Sequence, residues 1–206
     1  MRDHLTTDTD EGPRTDNHPA ETAIDWEQAQ EGARLLLDAV GVDTTEETLV
    51  ETWSRRVPAT FETLTEGGRE AAKPSMQTFD AASDDFVVKT GIPLYSLCEH
   101  HLLPYYGEAH VGYRPGDAVV GLSKLSRYVR WQSRELTIQE GLTRDVATGL
   151  AEEIGAQGVV VELHATHLCE AMRGVETATE TVTRSTVGDL TDDEQRRFDQ
   201  HVRTTD

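Results

Sequence analysis

The chain has 206 residues, 36% of them hydrophobic, which is enough for one domain with a core and a small appendage. No run approaches the ~18 apolar residues of a membrane span, and a formal net charge of -19 disfavours nucleic acid and anionic membranes as partners. Only three cations are lysines (Lys73, Lys89 and Lys124), a balance that reads as a surface adapted to high salt, the alternative being ordinary acidic bias.

Met1 to Ala20 is polar and acidic and carries no apolar segment of the secretory kind, so the expected location is cytoplasmic. Residues 1–22 read as a disordered acidic tail. Residues 23–68 read as an N-terminal helical region. Asp25 is the expected N-cap of its first helix, with Trp26, Ala29, Ala33, Leu36, Leu37 and Val40 on one face and Gly41 as the stop. A second helical stretch opens on a capping box, Thr44-x-x-Glu47, and closes at Gly67-Gly68, with a kink or a break expected at Pro58.

Residues 69–206 read as the catalytic part, with 69–83 as loop. Phe86–Lys89, Ile92–Leu97 and Glu108–Tyr113 read as strands, the last ended by the turn Arg114-Pro115-Gly116-Asp117. Ala118–Val120 is the expected returning strand. Ser123 is the expected cap of a helix through Trp131. Thr137-x-x-Glu140 is the expected cap of the next, whose core face carries Ile138, Leu142, Val146, Leu150 and Ile154. Val159–Leu163 and Thr177–Thr186 read as strands, and Thr191-x-x-Glu194 as the start of a last polar helix. Strands, two helices, then strands suit an antiparallel α+β architecture.

Both cysteines stand beside histidines. On a helical turn Cys98 and His101 would share a face, and His100 would point elsewhere. His167 and Cys169 lie two apart at the end of an expected strand, so both side chains can face one way. Two thiolates and an imidazole suit zinc, and three ligands leave one position for water. A closed structural site using His100 or His167 as fourth ligand, and a Cys98–Cys169 disulfide, are the alternatives.

Four stretches, taken together, resemble the GTP cyclohydrolase I family: Ser96-Leu97-Cys98-Glu99-His100-His101, Gly121-Leu122-Ser123-Lys124-Leu125-Ser126-Arg127, Gln139-Glu140, and His167-Leu168-Cys169-Glu170-Ala171-Met172-Arg173-Gly174. The resemblance covers residues 85–190 well and the N-terminal helices more weakly. It implies conversion of GTP to 7,8-dihydroneopterin triphosphate and formate, with Zn²⁺ on Cys98, His101 and Cys169. It also implies the tunnelling fold, an antiparallel sheet with two helices on one face. Subunit sheets of that fold join into a barrel, in this family a homodecamer with active sites between subunits.

His100 and His167 are the candidate proton carriers, near the metal and off it, with an ordinary pKa around ~6.5. Glu140, with Gln139 beside it, is the candidate for the guanine edge; the bland reading of Glu140 is a helix cap. Lys124, Arg127, Arg130 and Arg134 recur at helical spacing. Such a face is often merely solvated, and the resemblance selects Ser123, Lys124, Arg127 and Arg173 as phosphate ligands. Where the family carries Thr-Pro-x-Arg, this chain has Thr52-Trp53-Ser54-Arg55-Arg56-Val57. Arg56 fits better than Arg55, because Val57, Phe61 and Leu64 then keep the family's apolar spacing. His110 and His164 read as structural. The competing readings are a relative of the same fold acting on another purine or pterin, and a non-catalytic zinc-stabilised module.

Overall fold

The structure, a computed structural model, describes residues 24–83 and 85–204. The tail read over 1–22 lies outside the described residues. Helix α1 is Trp26–Ala39, capped by the Asp25 carboxylate on Gln28 N at 2.9 Å. It stops at Gly41, whose φ of +81° favours glycine. Ala29, Ala33 and Leu37 are half-buried, but Leu36 and Val40, expected on the same face, are each 68% exposed.

The next helical run is continuous: α2 (Glu47–Glu51), a π-helical turn (Thr52–Arg56) and α3 (Val57–Leu64). The expected box at Thr44 does not form. Thr44 instead donates its hydroxyl to Asp38 at 2.6 Å, and α2 has no side-chain cap. Pro58 neither breaks nor ends the run. Pro58 has no N–H to give the Ser54 carbonyl four residues back, and Gln30 of α1 donates to that carbonyl at 2.6 Å.

The region read as loop holds a short strand, β1 (Thr78–Asp80). Then come β2 (Val87–Cys98), β3 (Pro104–Arg114), β4 (Ala118–Val120), α4 (Leu122–Ser133) and β5 (Leu136–Thr137). Helix α5 (Gln139–Ile154), β6 (Gly158–His167), α6 (Leu168–Ala171), β7 (Glu180–Gly188) and α7 (Asp192–Arg203) complete the chain. The two expected strands before Cys98 are one, with a register shift between Lys89 and Ile92 at Gly91, φ +67°. The main sheet has the order β5-β2-β3-β6-β7 and is antiparallel except for the short β2/β5 pair. β4 does not return along β3 as expected; it pairs with β1 in a separate two-stranded ribbon.

Helices α4 and α5 cover one face of the sheet. Leu125 and Val129 of α4 and Leu142, Val146, Leu150 and Ile154 of α5 pack on Ile92, Leu94, Val111, Val161 and Leu163. Fully burying each such side chain contributes about 1.5–3 kcal/mol. On the opposite face α7 sets Phe198 and Val202 against Phe86 and Val160. Its expected capping box is present, Thr191 and Glu194 exchanging both bonds. The fold is therefore α+β, with two helices on one face of a mostly antiparallel sheet. Among the described residues no helix is long and apolar enough to cross a membrane.

Candidate metal centre

Cys98 is the last residue of β2 and is 6% exposed. The chain turns directly after it. Cys98 O accepts from His101 N at 3.3 Å and Leu102 N at 2.9 Å, and Cys98 N donates to Leu103 O at 2.9 Å. Leu102 takes a left-handed φ of +55° to close this loop. The half-motif thus sits on a single turn at the strand end, with the i+3 and i+4 bonds of a helical turn but no helix following it. The turn still brings His101 Nδ1 to 3.6 Å from Cys98 Sγ.

Cys169 arrives from β6. Pairing of Tyr105 with His167 sets the end of β6 beside the start of β3, which itself pairs with the end of β2. α6 then turns Cys169 inward, so that the Cys98, His101 and Cys169 ligand atoms all lie within 4.8 Å of one another. A tetrahedral zinc with Zn–S near ~2.3 Å and Zn–N near ~2.0–2.1 Å needs an S···N edge of about 3.6 Å. The Cys98–His101 edge matches, and the two edges to Cys169 lie within 4.8 Å, so the donor set fits zinc in chemistry and its measured edge fits in size. Burial, with the Cys98 thiol beside it, pushes the Cys169 thiol above its ordinary value. A cation between the two sulfurs is what would hold both as thiolates.

Neither flanking histidine belongs to this triad. The His100 side chain is 65% exposed, with Nε2 3.7 Å from Glu99. Its ring stands edge-on to that of His101 at 6.2 Å. His167 stacks on Tyr105 at 4.5 Å and 12°, with its Nε2 2.8 Å from Gln139 Oε1. Burial holds His167 below the usual histidine value, against the pull of the Glu140 and Glu170 carboxylates. Its resting form at neutral pH is the neutral ring.

Gln139 and Glu140 open α5, which the β2/β5 pairing brings beside Cys98. The capping box expected there is absent: the N-cap is Ile138 with no side-chain bond. The Thr137 hydroxyl is bonded instead to Ser96, at 2.8 Å, and to Tyr105. The exposed Glu140 carboxylate is thus not occupied as a cap. Gln139 is 1% exposed, its amide turned inward on β6 and β7 rather than towards a ligand. Tyr105, which stacks on His167 and is held by Thr137, belongs to none of the sequence motifs; the β3/β6 register, pairing it with His167, reveals it.

Ser123 and Lys124 lie in the first turn of α4, whose N-cap is Gly121, not Ser123 as expected. Arg127 is exposed and makes no hydrogen bond or ion pair among the described residues, whereas Arg130 pairs with Glu66 at 3.2 Å. Arg173 follows α6 and donates to Cys169 O at 3.3 Å, beside the metal triad. Arg55 and Arg56 both pair with Glu51, at 2.8 and 3.2 Å. The two halves of the predicted site are far apart within the chain. Lys89 Nζ donates to Leu122 O, which sets the start of α4 at the opening end of β2. Cys98 is nine residues further along that strand, about 30 Å by strand rise. A lysine side chain recovers only part of that span.

A model of the GTP cyclohydrolase I family matches residues 29–203. A protein of Clostridium perfringens named GTP cyclohydrolase 1 is 40% identical over 178 residues, covering 85% of this chain and 96% of that protein. One of the same name from Hyperthermus butylicus is 42% identical over 171 residues, 83% of this chain and 86% of the other. The crystal structure of the archaeosine synthase QueF-Like in the apo form superposes loosely, with a TM-score of 0.42 and 15% identity over 53% of this chain and 99% of that one.

Proposed function

The chain belongs to the GTP cyclohydrolase I family and is a hydrolase acting on GTP, and on that premise we propose how its residues divide the conversion of GTP to 7,8-dihydroneopterin triphosphate and formate. The observation that carries the proposal is the Cys98–His101–Cys169 triad, whose S···N edge has the size of a zinc tetrahedron. Cys98, His101 and Cys169 would hold zinc, which would supply the Lewis acidity that activates water at neutral pH.

The protein's own groups do the rest. The Glu140 carboxylate, free of any capping duty, accepts from guanine N1–H and the exocyclic amine. His167, neutral at rest, and the exposed His100 hold and pass the protons that ring opening and formate release require. Ser123, Lys124, Arg127, Arg173 and Arg56 bind the triphosphate. Of these, Arg127 has its guanidinium uncommitted among the described residues.

Ser123 and Lys124 stand too far from the triad along β2 for one GTP to reach both within a chain. That supports an active site shared between copies, with one chain giving the metal and guanine groups together with Arg173, and its neighbour giving Ser123 and Lys124. The exposed edge of β7 and the exposed Leu35, Leu36 and Val40 of α1 support a homo-oligomer, a decamer closed by tunnelling-fold barrels. The charge of -19 supports a high-salt cytoplasm. The deciding experiment incubates purified protein with GTP and measures formate and pterin fluorescence together. Absence of both with zinc bound would overturn the reading.

A further inference from the structure

We infer that Gln139 is a positioning residue that locks His167 with its proton on Nε2 and its lone pair on Nδ1, so that the ring meets substrate as a proton acceptor. The inference rests on the reading of His167 as a proton carrier, and it moves Gln139 from the substrate to the histidine.

The argument starts from atoms that have no choice. Gln139 Nε2 lies 3.0 Å from Leu163 O and 2.9 Å from Thr181 O. Both are backbone carbonyls and can only accept, so the amide nitrogen must face them. A flipped amide would set Oε1 against two carbonyl oxygens in a buried place, leaving acceptors unpaired. The third contact agrees. Thr143 donates its hydroxyl to Gln139 O at 2.6 Å, so at the 2.6 Å contact with Thr183 it must accept. Thr183 therefore donates there, so its own hydrogen is spent, and its oxygen, 3.1 Å from Gln139 Nε2, can only share one of the two amide hydrogens. That again calls for a nitrogen at this position, since an Oε1 there would face an oxygen with no hydrogen to offer.

With the nitrogen committed, Oε1 faces His167 Nε2 at 2.8 Å. An amide oxygen cannot donate, so Nε2 carries a hydrogen, and of the two neutral tautomers this bond admits only the one with its lone pair on Nδ1. The ring plane is fixed as well, by stacking on Tyr105, whose hydroxyl is held by Thr137. Donor, acceptor and plane are thus set before substrate arrives. In the transfer, a substrate X–H proton bonds to Nδ1 and its electron pair stays on X. The imidazolium keeps its Nε2–H on Gln139, now as a charge-assisted bond, and later returns the proton from Nδ1. A neutral amide suits this exchange, because it orients the ring without trapping the cation as a carboxylate would.

The test uses the zinc-loaded enzyme with ¹⁵N-labelled histidine. Solid-state ¹⁵N spectra, with the His167 signals identified by their loss in His167→Asn, should show Nε2 protonated and Nδ1 bare. In Gln139→Leu the Nδ1–H form should appear. The same variant should lose kcat about 10–100-fold, the usual cost of removing such a supporting partner, with KM for GTP and zinc content unchanged. If Gln139→Leu does not fold, Gln139→Met fills a similar volume, likewise offers His167 no amide acceptor, and should show the same Nδ1–H form. A protonated Nδ1 in the wild type, an unchanged Nε2–H form in whichever variant folds, or a raised KM at unchanged kcat would each overturn the assignment. Full activity of His167→Asn would instead overturn the proton-carrier reading and leave the tautomer result standing.

Discussion

Gly107 is where the sheet and the chemistry meet most closely. It lies in β3, opposite Leu94 of β2 and Ala165 of β6. A methyl group placed on it would lie 1.9 Å from His164 O and 2.8 Å from Ala165 Cα, where ordinary contact begins at 3.4 Å. Both are backbone atoms, so no side chain can swing away. For Gly107→Ala, β3 and β6 must part by about 1.5 Å, the difference between 3.4 and 1.9 Å, which breaks ladder hydrogen bonds normally near ~2.9 Å. Two lost bonds at about 1 kcal/mol each, with about 1–3 kcal/mol of overpacking strain, give about 3–5 kcal/mol. At this chain length that lowers Tm by about 6–20 °C. The same opening, two residues from the Tyr105–His167 pair, unseats the histidine and lowers kcat. Gly32→Ala is the matched control: it sits in α1 with nothing within 4 Å of the added methyl, and should gain about 0.5–1 kcal/mol. Thermal unfolding by circular dichroism and GTP turnover on the two variants check this. A Gly107→Ala protein melting within about 2 °C of the wild type would refute the steric reasoning.

Cys169→Ala should leave two ligands and lose zinc, read by elemental analysis of the purified protein; a full zinc complement would remove Cys169 from the ligand set. Glu140→Gln should raise KM for GTP about 10–100-fold, through loss of hydrogen bonds to a charged acceptor, while Tm stays put because the carboxylate makes no cap. An unchanged KM would take the guanine edge away from Glu140. Dilution to 10 mM salt lengthens the Debye length to about 30 Å, so chains carrying -19 each should separate and lose turnover together, and recover at about 1 M, where it is about 3 Å. Light scattering and activity along one salt series would show it; a stable active oligomer at low salt would remove the high-salt reading, and an active monomer the shared site.

The three Thr-x-x-Glu stretches read as capping boxes, at Thr44, Thr137 and Thr191, show where sequence legibility ends. All have the same pattern, and only Thr191-x-x-Glu194 forms the box. At Thr44 the hydroxyl is taken by Asp38 of the preceding helix, and at Thr137 by Ser96 and Tyr105 across the sheet. Local pattern decides when nothing distant competes, and tertiary partners decide otherwise. Pro58 follows the same logic, because Gln30 of a neighbouring helix supplies the missing donor. The long periodic faces of α5 and β6 were legible, since burial of an apolar row outweighs any single hydrogen bond. Ala118–Val120 was legible as a strand but not in its partner, because nothing in three residues specifies a register.

That Cys98, His101 and Cys169 would come together was legible because two cysteines beside histidines admit few uses; residue type left a closed site and a disulfide open, and the four family stretches selected the three ligands. Gln139 shows the opposite case. Beside a carboxylate in a motif it reads as a substrate ligand, and only bond direction, forced by two carbonyls that cannot donate, turns it towards His167. The phosphate residues show a third. Ser123 and Lys124 look close to Cys98 in the motif order, yet α4 begins at the Lys89 end of β2 and Cys98 stands at its other end. A sequence records that both groups exist, and strand length sets how far apart one chain must hold them. If both groups act on one GTP, that separation requires a second chain, so the rise of a single strand couples assembly to catalysis.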